Sequence, residues 1–257
     1  MHQTDGRSLR IDVVGAGPAF TDRLGATGAA YLVTTGQTTV LLDLGQGSFP
    51  RLAGLTDPGA LDAVVISHLH PDHFIDLISL RHFLSWGPSH PRRARVLAPS
   101  ALGNRLDALH AEPGFTAAAL DIEALEPGLR MIGPISLQTA RVTHADESYA
   151  FRLAAGNGVG LVYSGDCGRA EDLEPLIRPG DVLLSEVSFG PGPVPPGVEH
   201  LDGPSVGRLA TRTGATRILL THLLMSFGRD ETIASVRTYF DGPIELVAPG
   251  DKFTVPG

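Results

Sequence analysis

The sequence is poor in the features that mark several large classes of protein. It has one cysteine, Cys167, in 257 residues, so no intramolecular disulfide can form and a reducing cytoplasm is the expected compartment. No stretch approaches the roughly eighteen consecutive apolar residues of a membrane-spanning helix, and residues 1–7 carry none of the apolar core of a secretory leader. Cations are scarce: 20 Lys and Arg against 28 Asp and Glu leave a net charge of -8. That balance, with a pI near 5.6, excludes a protein that grips nucleic acid through a broad basic face. A small anionic substrate stays compatible with it, because bound metal ions can supply positive charge locally. Repeats, low-complexity tracts and long linkers are absent, so residues 1–257 read as one globular domain, with 42% hydrophobic residues to fill its core.

What is present concentrates in one stretch, Val64-Val65-Ile66-Ser67-His68-Leu69-His70-Pro71-Asp72-His73. An apolar β-branched run stops at three histidines and an aspartate within six positions, and the chain has only ten histidines in all. Imidazole and carboxylate suit zinc, manganese or iron, and such a cluster at a strand end reads as a metal site rather than as polar surface. His68 and His70 alternate, so on an extended segment both reach one ion. Asp72 and His73 follow Pro71, where the chain must turn, and so face a second ion.

The remaining pattern is an alternation of strands and helices. Strands are expected at 9–14, 29–34, 38–43, 61–66, 95–98, 120–125, 135–142, 149–153, 159–163, 181–184, 217–220, 244–248 and 252–255, with the turn between the second and third at Gly36-Gln37. Helices are expected at 48–55, 74–83, 100–110, 171–177 and 231–240, and another opens after Pro204 with Asp202 as its N-cap. Gly15-Ala16-Gly17-Pro18 lacks the third glycine of a dinucleotide-binding loop and reads as a tight turn. His68, His144, Asp166, Glu186 and His222 each follow directly on an apolar strand-like run, so their loops can open at one edge of the sheets. Two sheets, flanking helices and one metal-bearing rim describe an α/β, four-layer αββα sandwich.

In that ordered set the chain resembles the metallo-β-lactamase fold hydrolases: His68-x-His70-x-Asp72-His73, then His144, then Asp166 in Ser-Gly-Asp, then His222 in Leu-Thr-His-Leu. The resemblance implies that His68, His70 and His144 bind one zinc ion, that Asp72, His73 and His222 bind another, and that Asp166 bridges the two, with a hydroxide between them as nucleophile. Within the superfamily the sequence looks most like the branch of ribonuclease Z and cyclic-nucleotide phosphodiesterases, on the strength of Glu147-Ser148-Tyr149 after His144, of Ser185-Glu186-Val187-Ser188-Phe189, and of His200 ahead of a helix. That likeness implies a catalytic set of Asp72, Glu186 and His200, the last two paired near the leaving group.

The segment from His144 to Glu186 is too short for the tRNA-gripping arm of ribonuclease Z. The expected function is therefore hydrolysis of a small phosphodiester such as a cyclic nucleotide, by two Zn2+ ions or by Mn2+ or Fe in their place. Lactones, thioesters, β-lactams and tRNA 3′ ends are the alternative substrates. An oxygen-reducing diiron enzyme would carry a carboxylate at His70 and a flavin domain, and a non-catalytic module would not need all seven ligands. The expected partner is the anionic small molecule, with no membrane and no extended nucleic-acid surface; homodimer formation is left open.

Other residues have plainer readings. Cys167 reads as a small buried hydrophobe, His82, His90 and His110 as surface or capping residues, and Asp76 and Asp146 as solvated. Trp86 reads as a pocket wall or core residue, and the loops at Phe20, Phe189 and Met225 as the lining of a substrate pocket. Asp43, at a strand end, reads as a carboxylate able to hydrogen-bond a ligand histidine.

Overall fold

The apolar runs form strands that gather into two seven-stranded sheets. The computed structural model describes residues 8–36, 38–88, 91–156 and 158–256; residues 1–7, Gln37 of the expected turn and His90 lie outside them. The first half of the chain runs β1 (Leu9–Gly15), β2 (Ala30–Thr35), β3 (Thr38–Leu42), α1 (Phe49–Leu55), β4 (Ala63–Val65), α2 (Pro71–Phe74), α3 (Leu77–Trp86), β5 (Ala94–Ala98), α4 (Leu102–His110) and β6 (Leu120–Ala124). The second half runs β7 (Gly128–Ile132), β8 (Ile135–Arg141), β9 (Tyr149–Ala155), β10 (Leu161–Tyr163), β11 (Val182–Glu186), α5 (Gly203–Thr213), β12 (Arg217–Thr221), α6 (Arg229–Arg237), β13 (Ile244–Leu246) and β14 (Lys252–Val255).

One sheet has the order β14-β1-β2-β3-β4-β5-β6 and the other β13-β12-β11-β10-β9-β8-β7. In each, an antiparallel set passes into a parallel one: β3 to β6 are parallel in the first and β10 to β13 in the second. Parallel strands covered on both faces are apolar along their whole length, and the period of two sends alternate residues to different layers. Val65, Leu184 and Leu219 face the core between the sheets, with Tyr31, Phe151 and Tyr163. Val64 faces the layer of α1, α3 and α4 with Leu52, Leu80 and Leu106. Leu183 and Leu220 face Val206, Leu209 and Val236 of α5 and α6. Three cores between four layers make the expected αββα sandwich, and the carboxyl ends of the parallel strands share one rim.

Four expectations need correction. The helix expected at 74–83 is two, α2 and α3, because the Asp76 N–H turns to the Leu44 carbonyl at 3.1 Å instead of the preceding turn. Asp76 is not merely solvated: its carboxylate accepts the Phe49 N–H at 2.8 Å and so caps α1. The helix expected at 171–177 is only a 3-10 turn, Ala170–Leu173, since Pro175 has no N–H to continue it and restricts the residue before it. Trp86, 74% exposed at the end of α3, is neither core nor buried pocket wall. The edge strand β7 was not expected at all; its outward Leu129 and Met131 carry no alternating pattern. His82 and His110 lie at the surface as expected, around Phe115.

Backbone hydrogen bonds fasten the turn of the metal motif to the residue before β2 and to the loop after β3. Ala29 and Leu44 N–H groups donate to the carbonyls of Asp72 and His73 at 2.9 and 2.8 Å. A Cβ on Gly45 would lie 1.8 Å from the Asp72 carbonyl oxygen. Gly45→Ala is therefore expected to lower the free energy of unfolding by about 1–3 kcal/mol. Gly54→Ala, with open space around it in α1, should raise it by about 0.5–1 kcal/mol, and denaturant titration of both variants compares the two signs.

Candidate metal centre

Each residue of the site is delivered by a strand end. His68 and His70 follow β4, Asp72 and His73 open α2, His144 follows β8, Asp166 follows β10, Glu186 ends β11 and His222 follows β12. Asp43 after β3 and His222 both adopt left-handed backbone, with φ of 58° and 60°, a region that non-glycine residues occupy only when their surroundings dictate it.

The structure brings the seven expected ligand residues into two clusters that share Asp166. In the first, His70 Nδ1 lies 3.0 Å from both His68 Nε2 and His144 Nε2, and Asp166 Oδ2 lies 3.7 and 3.6 Å from the latter two. In the second, His222 Nε2 lies 3.0 Å from Asp72 Oδ2 and 3.4 Å from His73 Nε2. Asp166 reaches this cluster too, at 3.3 Å from His73 Nε2 and 3.5 Å from His222 Nε2. Ligands around one tetrahedral zinc, with Zn–N near 2.0–2.1 Å, stand about 3.3 Å apart. The observed separations bracket that value.

The outer nitrogens are held by acceptors. His73 Nδ1–H donates to Asp43 Oδ2 at 2.7 Å, His144 Nδ1–H to the Glu199 carbonyl at 2.7 Å, and His222 Nδ1–H to Ser188 Oγ at 3.0 Å. Their Nε2 lone pairs are thereby turned toward one another, an arrangement that needs a cation. Asp166 is 2% exposed and its Oδ1 has no hydrogen-bond partner. A buried orphan carboxylate oxygen among converging imidazoles fits a divalent metal.

The electrostatics agree. Burial, then the charge of His73, hold His68 well below the ordinary histidine range, so its imidazole is neutral. Burial also opposes protonation of His73, but Asp166 and Asp43 outweigh it and hold its pKa well above ordinary. Without metal, a proton on His73 is the charge that balances the carboxylates, and a metal ion would displace it. Burial resists ionisation of Asp166, yet His222 and His73 keep its pKa well below the usual carboxylate range.

Beside the clusters stands a third group, Glu186, His200 and His222. Glu186 is fully buried, and its Oε1 accepts the Cys167 N–H at 2.8 Å and His200 Nδ1–H at 2.9 Å. Its Oε2 accepts the N–H of Ser188 at 3.1 Å and the Ser188 hydroxyl. The expected pair therefore exists, and Ser188 ties it to His222. Burial opposes charge on His200, but the hydrogen bond and charge of Glu186 raise its pKa to about 9.

Sequence reading missed Ser188, Ser67 and Tyr163. Ser67 donates N–H and hydroxyl to Asp43, each at 2.7 Å, and Tyr163 donates its hydroxyl at 2.6 Å. Only their positions at strand ends could have signalled them. Cys167 is no ligand, because burial pushes its thiol up and Sγ–H donates to the Arg169 carbonyl. Phe20 and Met225 are themselves exposed, but their loops line the cleft beside His222 through Pro18, Thr21, Leu223 and Phe227.

Two mixed sheets with a shared His/Asp rim define a metal-dependent hydrolase. The chain belongs to the β-lactamase superfamily, whose domain it matches over residues 38–223. It is 31% identical to protein Rv1339 of Mycobacterium tuberculosis over 96% of this chain and 93% of that one. It is 26% identical to the probable metallo-hydrolase YhfI of Bacillus subtilis over 94% and 98% of the two chains. The YhfI crystal structure superposes with a TM-score of 0.85 at 24% identity, covering 96% of this chain and 99% of that one. Zinc phosphodiesterase ELAC protein 2 of Macaca fascicularis is 26% identical over 85% of this chain and 30% of its own length. Among the described residues no helix is long and apolar enough to cross a membrane.

In the metal-free protein His200 titrates near 9 when folded, against about 6.5 when unfolded. Its raised value contributes stability that is fully present below pH about 6.5 and is lost as the pH rises through about 9. His200→Gln should thus cost most stability at about pH 6 and least at about pH 10, as read by denaturant titration. A cost independent of pH would show that the Glu186 contact carries no charge.

Proposed function

We propose that the protein is a dinuclear zinc phosphodiesterase of the cytoplasm, working as a single domain on a small phosphodiester such as a cyclic nucleotide. His68, His70 and His144 would hold one ion and Asp72, His73 and His222 the other, with Asp166 common to both sets; Mn2+ or Fe can stand in for zinc. Bound there, the ions would supply an acidified water and charge stabilisation for a phosphate. The observation that carries the reading is the pair of buried Glu186 and half-buried His200, the His200 ring lying 4.7 Å from that of His144 and 5.9 Å from that of His222, centroid to centroid. The likeness to a zinc phosphodiesterase points the same way.

The residues of this chain have defined tasks. Glu186 holds Nδ1–H of His200, which leaves Nε2–H for the leaving oxygen. Water adds across the P–O bond: its oxygen goes to phosphorus, the bond to the leaving oxygen breaks, that oxygen takes the proton from His200, and the proton given up by the water restores His200. Asp43 and Ser188 keep His73 and His222 in the tautomer whose Nε2 faces the site. His200 is an acid only while protonated, so turnover of an alkyl diester falls as pH rises through its pKa. Glu186 raises that pKa and nearby cations lower it, so Glu186→Gln moves the alkaline limb to lower pH.

Two measurements test this. Equilibrium dialysis against zinc should saturate near two ions per chain, and Asp166→Asn should lower that number most, because it withdraws charge from both positions. Saturation at one ion in the unaltered protein overturns the dinuclear reading. His200→Ala should lower turnover of alkyl diesters by about 10²–10⁴ with metal retained, and far less for p-nitrophenyl esters, whose leaving anion departs without a proton. Equal losses on both remove His200 from the leaving group, and hydrolysis of a lactone with no action on any diester replaces the substrate class.

A further inference from the structure

A second cleft opens one residue from His222. The His222 N–H donates to the Ala16 carbonyl at 3.0 Å, and Ala16 and Leu223 form the near wall of a cavity of about 490 Å³. Three guanidinium groups line it, Arg23 from the β1–β2 loop, Arg51 from α1 and Arg229 from the first turn of α6, together with apolar Phe227 and Val247. No Asp or Glu does. Asp22, Asp230 and Glu231, adjacent in sequence to these arginines, are not part of the lining.

Each guanidinium is anchored by backbone rather than by a carboxylate. Arg23 donates to the carbonyls of Leu223, Leu224 and Phe227 at 2.6, 3.2 and 3.1 Å. Arg51 donates to the Gly25 carbonyl at 3.3 Å, and Arg229 to that of Leu246. Five N–H donors per guanidinium leave several unused on each. None of the three forms an ion pair among the described residues, in a chain whose net charge is -8. Three oriented, uncompensated cations over an apolar floor are suited to a phosphate attached to a nucleoside. The cleft that contains His200 is a different one, and there Glu171 and Asp202 offset Arg169, Arg208 and Arg212.

We infer that the arginine cleft is a second phosphate site, so that the preferred substrates are nucleotide diesters carrying a further phosphate on the part retained after cleavage, as in dinucleotides and short oligonucleotides. This rests on the phosphodiesterase reading for its catalytic consequence, while the cleft's affinity for phosphate does not. The scissile phosphate sits at the metal clusters, the leaving group lies toward His200, and the retained nucleoside extends past His222 so that its outer phosphate meets Arg23, Arg51 and Arg229.

The test compares thymidine 5′-(p-nitrophenyl phosphate) with its 3′-phosphorylated form, which share a leaving group and differ only in the outer phosphate. The metal-loaded protein should show kcat/KM about tenfold or more higher for the 3′-phosphorylated ester, mostly through KM, and added salt should erode the preference. Arg51→Gln with Arg229→Gln, both at exposed positions, should bring the ratio near one, while the corresponding lysine pair retains most of the preference. Equal rates on the two esters, or a preference that survives the glutamine pair, overturn the inference.

Binding to metal-free protein separates this from failure of the phosphodiesterase reading. Thymidine 3′,5′-bisphosphate should bind more tightly than thymidine 5′-phosphate, and the glutamine pair should abolish the difference. If neither ester is hydrolysed but that difference holds, the cleft stands and the catalytic reading falls; if binding shows no difference, the cleft falls whatever the activity.

Discussion

A buried carboxylate must be satisfied by donors, and Asp43 sets the terms for much of the molecule. It is fully buried and accepts four hydrogen bonds, two from Ser67 after β4, one from Tyr163 at the end of β10 and one from His73 of α2. The donors come from both sheets, so one side chain fixes how the sheets meet and which nitrogen of His73 is turned toward the site. Burial and the charge of Asp43 push the Tyr163 phenol well above its ordinary pKa, which keeps it a donor. Losing any of these partners leaves a buried acceptor short, a cost of about 1–3 kcal/mol each. The left-handed backbone of Asp43 is tolerated because these contacts over-determine it.

Glu186 plays the matching part in the second sheet. It too is fully buried and gathers donors from three segments, Cys167, Ser188 and His200, and through Ser188 it orients His222. Each sheet thus carries one internal carboxylate behind its own rim histidine, His73 in one and His222 in the other, and those two imidazoles lie 3.4 Å apart at Nε2. The mixed strand order makes this possible. In both sheets the parallel strands send their carboxyl ends to a common edge, where short loops leave side chains little freedom.

Much of this was legible in the sequence, and the reason is local density. His68 to His73 pack four ligating side chains into six positions, and His144, Asp166, Glu186 and His222 each end an apolar run. Pattern and chemistry coincide there. The helix division at Ile75–Asp76 was not legible, because it depends on the Leu44 carbonyl some thirty residues away. Ser67, Ser188 and Tyr163 were not legible either, since serine and tyrosine are common at strand ends and gain meaning only from the carboxylate they face. The arginines of the second cleft come from positions 23, 51 and 229, and nothing in a linear reading joins them. Trp86 misled because bulk and apolarity suggest burial, yet α3 directs it to solvent.

Cys167 follows Asp166 directly and is the chain's single thiol. It is fully buried, its Sγ–H is engaged with the Arg169 carbonyl, and its N–H is held by Glu186. Burial raises its pKa, so the thiolate that reacts with alkylating and oxidising agents is scarce in the closed state. A thiol reagent can therefore reach it only when the segment carrying Asp166 parts from β11, and the labelling rate measures how often that happens. The molecule carries, one residue from the centre of its site, a native clock for local opening that needs no introduced probe.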